Sequence, residues 1–189
     1  MKLVHLATAF FLAVAGLGTA QAQSNDDFLT IQLNDGPVVI QLMPDIAPKH
    51  VAQIKELAKK GEYDNVAFHR VIEGFMAQTG DVQFGDMENG FDGSRAGTGG
   101  SSMPDLPAEF SSVPFERGTI GMARSQDPNS ANSQFFIMFA DGGFLNGQYT
   151  VVGKVVAGMD AVDKIKRGEG GNGEVSNPDR MVKVTVGRN

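Results

Sequence analysis

Cysteine is absent from the 189 residues. Disulfides, thiol nucleophiles and thiolate metal sites are excluded with it, although a chain without cysteine suits any redox compartment. Tryptophan is absent too, and histidine occurs three times, as His5, His50 and His69. None of these has a partner at ligand spacing, so the sequence offers no zinc site. No Gly-x-Ser-x-Gly elbow speaks for a serine hydrolase. The stretch Asp81–Asp92 holds several oxygen donors but lacks the order of a calcium loop. Gly168-Glu169-Gly170-Gly171-Asn172-Gly173 formally matches a dinucleotide fingerprint. It follows a helix pattern instead of joining a strand to one, and reads as a flexible loop. Positive charge is also scarce: 16 Lys and Arg stand against 22 Asp and Glu, a net charge of −6. The basic residues are scattered, the longest groups being pairs such as Lys59-Lys60. A sequence-independent nucleic-acid binder needs clustered positive charge, so that class is excluded.

What is present begins with an export signal. Met1 and Lys2 start the chain, Leu6 to Leu17 is almost wholly apolar, and Ala20-Gln21-Ala22 supplies a small-x-small cleavage site. The apolar core is too short for a comfortable membrane span of ~20 residues. Residues 1–22 are therefore expected to be a signal peptide and 23–189 the mature domain, free of the membrane after cleavage. That length fits one domain. With 41% apolar and 20% charged residues, it fits a globular domain with a core.

Along the mature chain, Phe28–Leu33 alternates, Asn34-Asp35-Gly36-Pro37 is a turn signal, and Val38–Leu42 follows as a second strand, giving a hairpin. Ala47–Lys60 reads as a helix. Pro48 suits its first turn, Val51, Ile54, Leu57 and Ala58 form its apolar stripe, and Gly61 stops it. Further strands are expected at Ala67–Ile72, Gly118–Ala123, Ser133–Phe139, Tyr149–Val156 and Met181–Val186, with a second helix over Gly158–Arg167. Residues 81–107 read as a long loop, usually a functional feature in a compact domain. Many short antiparallel strands with two helices favour a barrel or sandwich, and closing the sheet would protect its edges.

Two segments carry the chemistry. One runs from Phe68-His69-Arg70 through Gly74-Phe75-Met76-Ala77-Gln78 to Asp81. The other runs from Gly121-Met122-Ala123 to Asn132-Ser133-Gln134-Phe135-Phe136-Ile137. Alternation puts Gln134, Phe136 and Met138 on one face of their strand and Phe135, Ile137 and Phe139 on the other. Composition alone fits two readings: an apolar pocket with Arg70 and Gln78 beside it, or ordinary core with Arg70 a solvated charge.

The order of the residues resembles the cyclophilin family. Phe68–Asp81 is similar to its first motif, Phe-His-Arg-Val/Ile-Ile-x-Gly-Phe-Met-x-Gln-Gly-Gly-Asp, and residues 121–137 to its second block. Ala47-Pro48-Lys49, Gly97-Thr98-Gly99-Gly100, Pro107-Ala108-Glu109-Phe110, Phe144-Leu145-Asn146-Gly147 and Val151-Val152-Gly153 also fit. The resemblance runs from about Phe28 to Val186. It implies a closed eight-stranded antiparallel β-barrel capped by two α-helices, and a peptidyl-prolyl cis-trans isomerase that needs no metal and no cofactor. It implies that Arg70 is the catalytic arginine and Gln78 its polar partner. Phe75, Met76, Phe136 and Leu145 would form a proline pocket, Ala123 and Gln134 the adjoining peptide groove, and His69 a support or groove residue.

Departures from the family pattern lie close to this site. Phe144 stands where many members carry tryptophan, and Tyr149 where they carry histidine; both are also seen in bacterial members. Glu73 replaces the usual proline, and Thr79-Gly80 the glycine pair. Because the tryptophan contacts cyclosporin in sensitive members, weak cyclosporin binding is expected. Val82–Ala96 is longer than in the smallest cyclophilins. The expected partners are proline-containing polypeptides, the expected compartment the periplasm, and the expected state a monomer. Two rival readings are a proline-peptide binding module or chaperone without activity, and a small barrel carrying an apolar ligand inside. Bulky inward side chains such as Phe135 and Ile137 speak against the carrier.

Overall fold

A computed structural model describes residues 24–188; the expected signal peptide lies outside them. The chain opens with the hairpin β1 (Phe28–Leu33) and β2 (Gly36–Leu42). Helix α1 (Pro48–Lys60) follows, with Pro48 in its first turn. Its N-cap, Ala47, has no side-chain oxygen to offer the first free N–H groups. Glu109, sixty residues on, accepts them instead, from Lys49 at 3.2 Å and His50 at 3.1 Å. At the other end Gly61 turns left-handed at φ 74°. Gly61 N–H bonds to Ala58 O and Glu62 N–H to Leu57 O, a Schellman closure. The apolar stripe of α1 is buried as expected, and His50 and Gln53 are buried beside it.

The remaining elements are β3 (Val66–Ala67), β4 (Arg70–Ile72), β5 (Met76–Thr79), β6 (Thr119–Met122), β7 (Phe135–Met138), β8 (Val151–Ala157), α2 (Met159–Val162), β9 (Arg180–Met181) and β10 (Lys183–Val186). Eight strands form one antiparallel sheet in the order β10-β1-β2-β8-β6-β7-β5-β4. Register shifts at Val39/Ile40 and at Ile120/Gly121 bend it.

The sheet curls but does not close, which corrects the expected closed barrel. Its end strands β4 and β10 do not pair with each other. The reason lies in two strands that break in the middle. The segment expected as Ala67–Ile72 divides, so that β3 pairs with β9 while β4 pairs with β5. The segment expected as Met181–Val186 divides at Val182, whose N–H reaches Gln32 O. The two-stranded β3–β9 ladder thus occupies the gap. The outer edge of β4 is covered by the 168–175 loop through Val71 N–H to Gly173 O and Gly168 N–H to Val71 O. That edge is protected by coverage, an alternative to closure. The second helix is also shorter than expected. After Val162 the chain continues in three-residue bonds, Lys164 N–H to Ala161 O and Ile165 N–H to Val162 O. β5, which shares the first motif with β4, is a strand that the sequence pattern does not mark.

Two apolar clusters result. The larger fills the inside of the curl and joins Leu29, Ile31, Phe68, Phe135 and Ile137 to the buried face of α1. Side chains therefore occupy the place where the carrier reading would put a ligand. The smaller lies on the outer face and contains Met76, Phe115, Phe136, Met138, Leu145 and Val151. Strand β7 alternates between them, as its period-2 pattern requires.

Candidate active site

Strand register builds the site. Arg70 pairs with Gln78 across β4 and β5, Gln78 with Phe136 across β5 and β7, and Phe136 with Gly121 across β7 and β6. Directly paired residues project to the same face. One row across four strands therefore carries a guanidinium, an amide, an aromatic ring and a residue with no side chain. Gly121 is required there, because a Cβ at 121 would approach Phe115 Cε1 to 2.5 Å and press into the Phe136 ring.

A pocket of about 390 Å³ opens over this row. It is lined by Arg70, Phe75, Met76, Gln78, Ala123, Phe136, Phe144, Leu145 and Tyr149, nine of the eleven residues named from the sequence. Met76, Phe136 and Leu145 are buried and form its floor. Phe115 stacks beneath Phe136 with ring centroids 5.7 Å apart, and Tyr149 meets Phe136 edge-on at 5.9 Å. At the rim, Phe144 is 66% exposed and leans on Phe75 at 5.5 Å. The other two named residues lie just outside. Gln134 lines an adjoining groove of about 260 Å³ with Gly97, Thr98 and Gly99. His69 lies on the far side of Arg70.

The polar groups are joined in one line. Arg70 Nη1 donates to Gln78 Oε1 at 3.3 Å, Gln78 Nε2 to Gln134 Oε1 at 2.9 Å, and Gln134 Nε2 to Gly99 O at 2.8 Å. Every donor points the same way, which fixes both amide orientations. Arg70 Nε donates to Asn172 O at 2.9 Å. Nη2 has no hydrogen-bond partner among the described residues, and neither does Arg70 have a carboxylate partner. Partial burial moves its pKa down from the usual guanidinium value, against a smaller opposite pull from Tyr149. It remains a cation at neutral pH.

His69 is a buttress. Its ring is buried, and neither nitrogen makes a hydrogen bond of ordinary geometry. Burial lowers its pKa, more than the nearby Asp81 carboxylate raises it, so the ring is neutral at pH 7. Gly97, at φ 97°, rests on it; a Cβ there would come within 2.9 Å of the ring.

Sequence reasoning missed three contributors. Arg124 lies 4.3 Å over the Tyr149 ring and donates to Gln148 O at 2.8 Å, closing one side of the pocket. Phe115 comes from a stretch without periodicity. Asp81 is fully buried and gathers four backbone N–H groups, from Gln83, Phe84, Gly97 and Gly99. Its place at the end of the first motif was the only signal available.

A curled antiparallel sheet with an arginine at the rim of an outer apolar pocket describes a class, and the comparisons identify it. Residues 28–186 match the model of the cyclophilin type peptidyl-prolyl cis-trans isomerase family. A probable peptidyl-prolyl cis-trans isomerase of Brucella suis is 65% identical over 184 residues, covering 96% of this chain and 94% of the relative. Peptidyl-prolyl cis-trans isomerase B of Escherichia coli is 38% identical over 146 residues, covering 73% and 83%. Among solved structures, a cyclophilin from Hirschia baltica superposes with a TM-score of 0.72 at 26% identity, covering 86% of this chain and 74% of that one. A cyclophilin type peptidyl-prolyl cis-trans isomerase of Cryptosporidium parvum, solved in the presence of the dipeptide Ala-Pro, gives 0.70 at 25% identity, covering 86% and 99%. The chain belongs to the cyclophilin type peptidyl-prolyl cis-trans isomerase family and is an enzyme of that kind.

Proposed function

We propose that this isomerase is exported to the periplasm, loses residues 1–22 on the way, and acts as a monomer on X-Pro bonds of proline-containing polypeptides. Catalysis is non-covalent, without metal or cofactor. Rotation about the amide passes through a twisted state in which resonance is lost, against a barrier of about 18–20 kcal/mol. Uncatalysed, this takes tens of seconds. In the twisted state the prolyl nitrogen regains a lone pair and becomes an acceptor. Arg70 supplies the donor, with Nη2 free while Nε and Nη1 are held by Asn172 O and Gln78. A hydrogen bond made in the twisted state and not in the planar one lowers the barrier directly. The proline ring packs on Met76, Phe136 and Leu145 with Phe75 at the side, while Gln134 and Ala123 steady the preceding residues.

The observation that supports this reading best is the row Arg70–Gln78–Phe136, which sets a charge-carrying donor at the rim of an apolar floor. The dipeptide used with the Cryptosporidium relative is of the same ligand class. The test is refolding of a tryptophan-containing protein limited by prolyl isomerisation, with residues 23–189 and their Arg70→Ala variant compared. The absence of tryptophan in this chain keeps the background low. Acceleration should disappear in the folded variant. A well-folded wild type that binds prolyl peptides without acceleration would leave a binding module instead.

A further inference from the structure

The loop expected at 82–96 ends beside Arg70. Asp81 holds both of its ends: Oδ1 accepts from Gln83 and Phe84 N–H at 3.1 and 3.0 Å, and Oδ2 from Gly97 and Gly99 N–H at 2.7 and 2.9 Å. Within the loop, Asp92 accepts from Ser94 N–H and Oγ, and the Arg95 guanidinium lies 3.7 Å over the Phe84 ring. The loop tip is thus held in place. Opposite it stands the Asn172–Glu174 segment, fixed by Arg70 Nε to Asn172 O and by Val71 N–H to Gly173 O at 2.7 Å. Between these walls lies a cleft of about 320 Å³. Arg70 and Gln78 line both this cleft and the proline pocket, so the two are neighbours across one pair of side chains.

The cleft carries one cationic and one anionic side chain. Its charged lining groups are Arg70 and Glu174. Arg70 is committed through Nε and Nη1 and faces the pocket as well. Glu174 is exposed and forms no ion pair among the described residues. The chain as a whole is acidic, which adds to the local negative field.

We infer that this cleft is a further substrate subsite, which takes a lysine or arginine side chain near the prolyl bond, with Glu174 as its specificity residue. The inference rests on the isomerase reading of the neighbouring pocket. A peptide seated with its proline on Phe136 runs over Arg70, and one flank enters the cleft. Arg70 is turned to Asn172 O and Gln78 through Nε and Nη1, so a cationic side chain there meets the Glu174 carboxylate, a contact that an acidic or neutral one lacks.

The test uses prolyl peptides that carry Lys, Gln or Glu at each of the four positions on either side of the proline. Isomerisation is followed by NMR exchange and binding by calorimetry, at low and high salt. For an exposed pair, Lys should exceed Gln about two- to fivefold in kcat/KM at one position, and salt should weaken the effect. Glu174→Gln should abolish the preference and Glu174→Lys reverse it. Equal rates for Lys, Gln and Glu, or a Lys preference that survives Glu174→Lys, would overturn the subsite and leave the isomerase reading standing. A Lys preference in binding without catalysis would support the subsite and overturn the isomerase reading.

Discussion

Gln78→Leu separates the polar relay from the apolar floor, because leucine keeps most of the side-chain volume and removes both the amide oxygen and the amide N–H donors. Two bonds are lost, Arg70 Nη1 to Gln78 Oε1 and Gln78 Nε2 to Gln134 Oε1. Gln78 is only half-buried, so water can replace its bonds, and the fold should lose less than about 1 kcal/mol. The larger effect is on Arg70, which is left held by Asn172 alone. A full hydrogen bond to a charged group contributes about 1.5–3 kcal/mol. At 3.3 Å and half exposed, the lower end applies. A loss of about 1.4 kcal/mol of transition-state stabilisation lowers kcat/KM roughly tenfold. The assay is catalysed isomerisation of a prolyl peptide, with urea denaturation alongside to confirm the fold. In an Arg70→Ala background the same change should cost less than about twofold, since the group that Gln78 positions is already gone. Additive losses in the double variant would refute the relay, and so would an unchanged rate in Gln78→Leu.

Three further outcomes follow from the structure. Glu109 is raised by burial but lowered more by the bonds it accepts from the His50 ring and from the His50 and Lys49 N–H groups, so its net shift is downward. Its contribution to stability should be present above the ordinary glutamate value of 4.5 and fade as pH falls through its lower folded value. Glu109→Gln should therefore reduce Tm at pH 7 by an amount equivalent to ~1–2 kcal/mol and flatten the acid limb of the stability curve. An unchanged acid limb would count against this cap. Gly121→Val should press on the Phe115 and Phe136 rings, destabilise by about 1–3 kcal/mol and raise KM for prolyl peptides more than it lowers kcat. A rise in stability would contradict the close approach. Phe144 stands exposed at the rim where many family members carry tryptophan, so wild-type protein should bind cyclosporin weakly and Phe144→Trp more tightly, by calorimetry. Nanomolar affinity in the wild type would refute that.

Much of the fold was legible because local signals agreed with each other. The hairpin at Asn34-Asp35, helix α1 and the two-faced strand β7 each had pattern, turn and stop residues in accord. Closure was not legible. It depended on whether Ala67–Ile72 and Met181–Val186 run unbroken, and both carry a regular strand pattern through the residues where they change partners. Phe68 and His69 read as strand, yet Phe68 N–H bonds to Asp179 O and leaves the main sheet. The pocket residues were legible only through the order of several motifs, since composition alone favoured ordinary core over a pocket. Those two readings prove to be one. Phe136 is buried like a core residue and forms the pocket floor at the same time. Glu109 as a helix cap and Asp81 as a loop anchor were not legible, because each acts on backbone N–H groups distant in the chain or spread along a loop without periodicity.

On the proposed mechanism, that double role of β7 accounts for how an open surface groove can be held firmly enough to act on a small energy difference. Stabilising a twisted amide over a planar one requires donors placed in advance, since a donor that follows the substrate stabilises both states alike. Here Phe136 and Met138 cannot shift outward without moving Phe135 and Ile137, which are locked in the larger core on the reverse face of the same four-residue strand. Arg70 and Gln78 are tied to that strand by register, and Gln134 directly precedes it. The outer edge of β4 lies next to Arg70, where a closed ladder would have put another strand. In its place the 168–175 segment supplies Asn172 O to the guanidinium and leaves a cleft beside it. On the proposed mechanism, rigidity at β7 holds the donor in place, and the cleft beside the loop-covered edge of β4 gives a polypeptide room to pass over it.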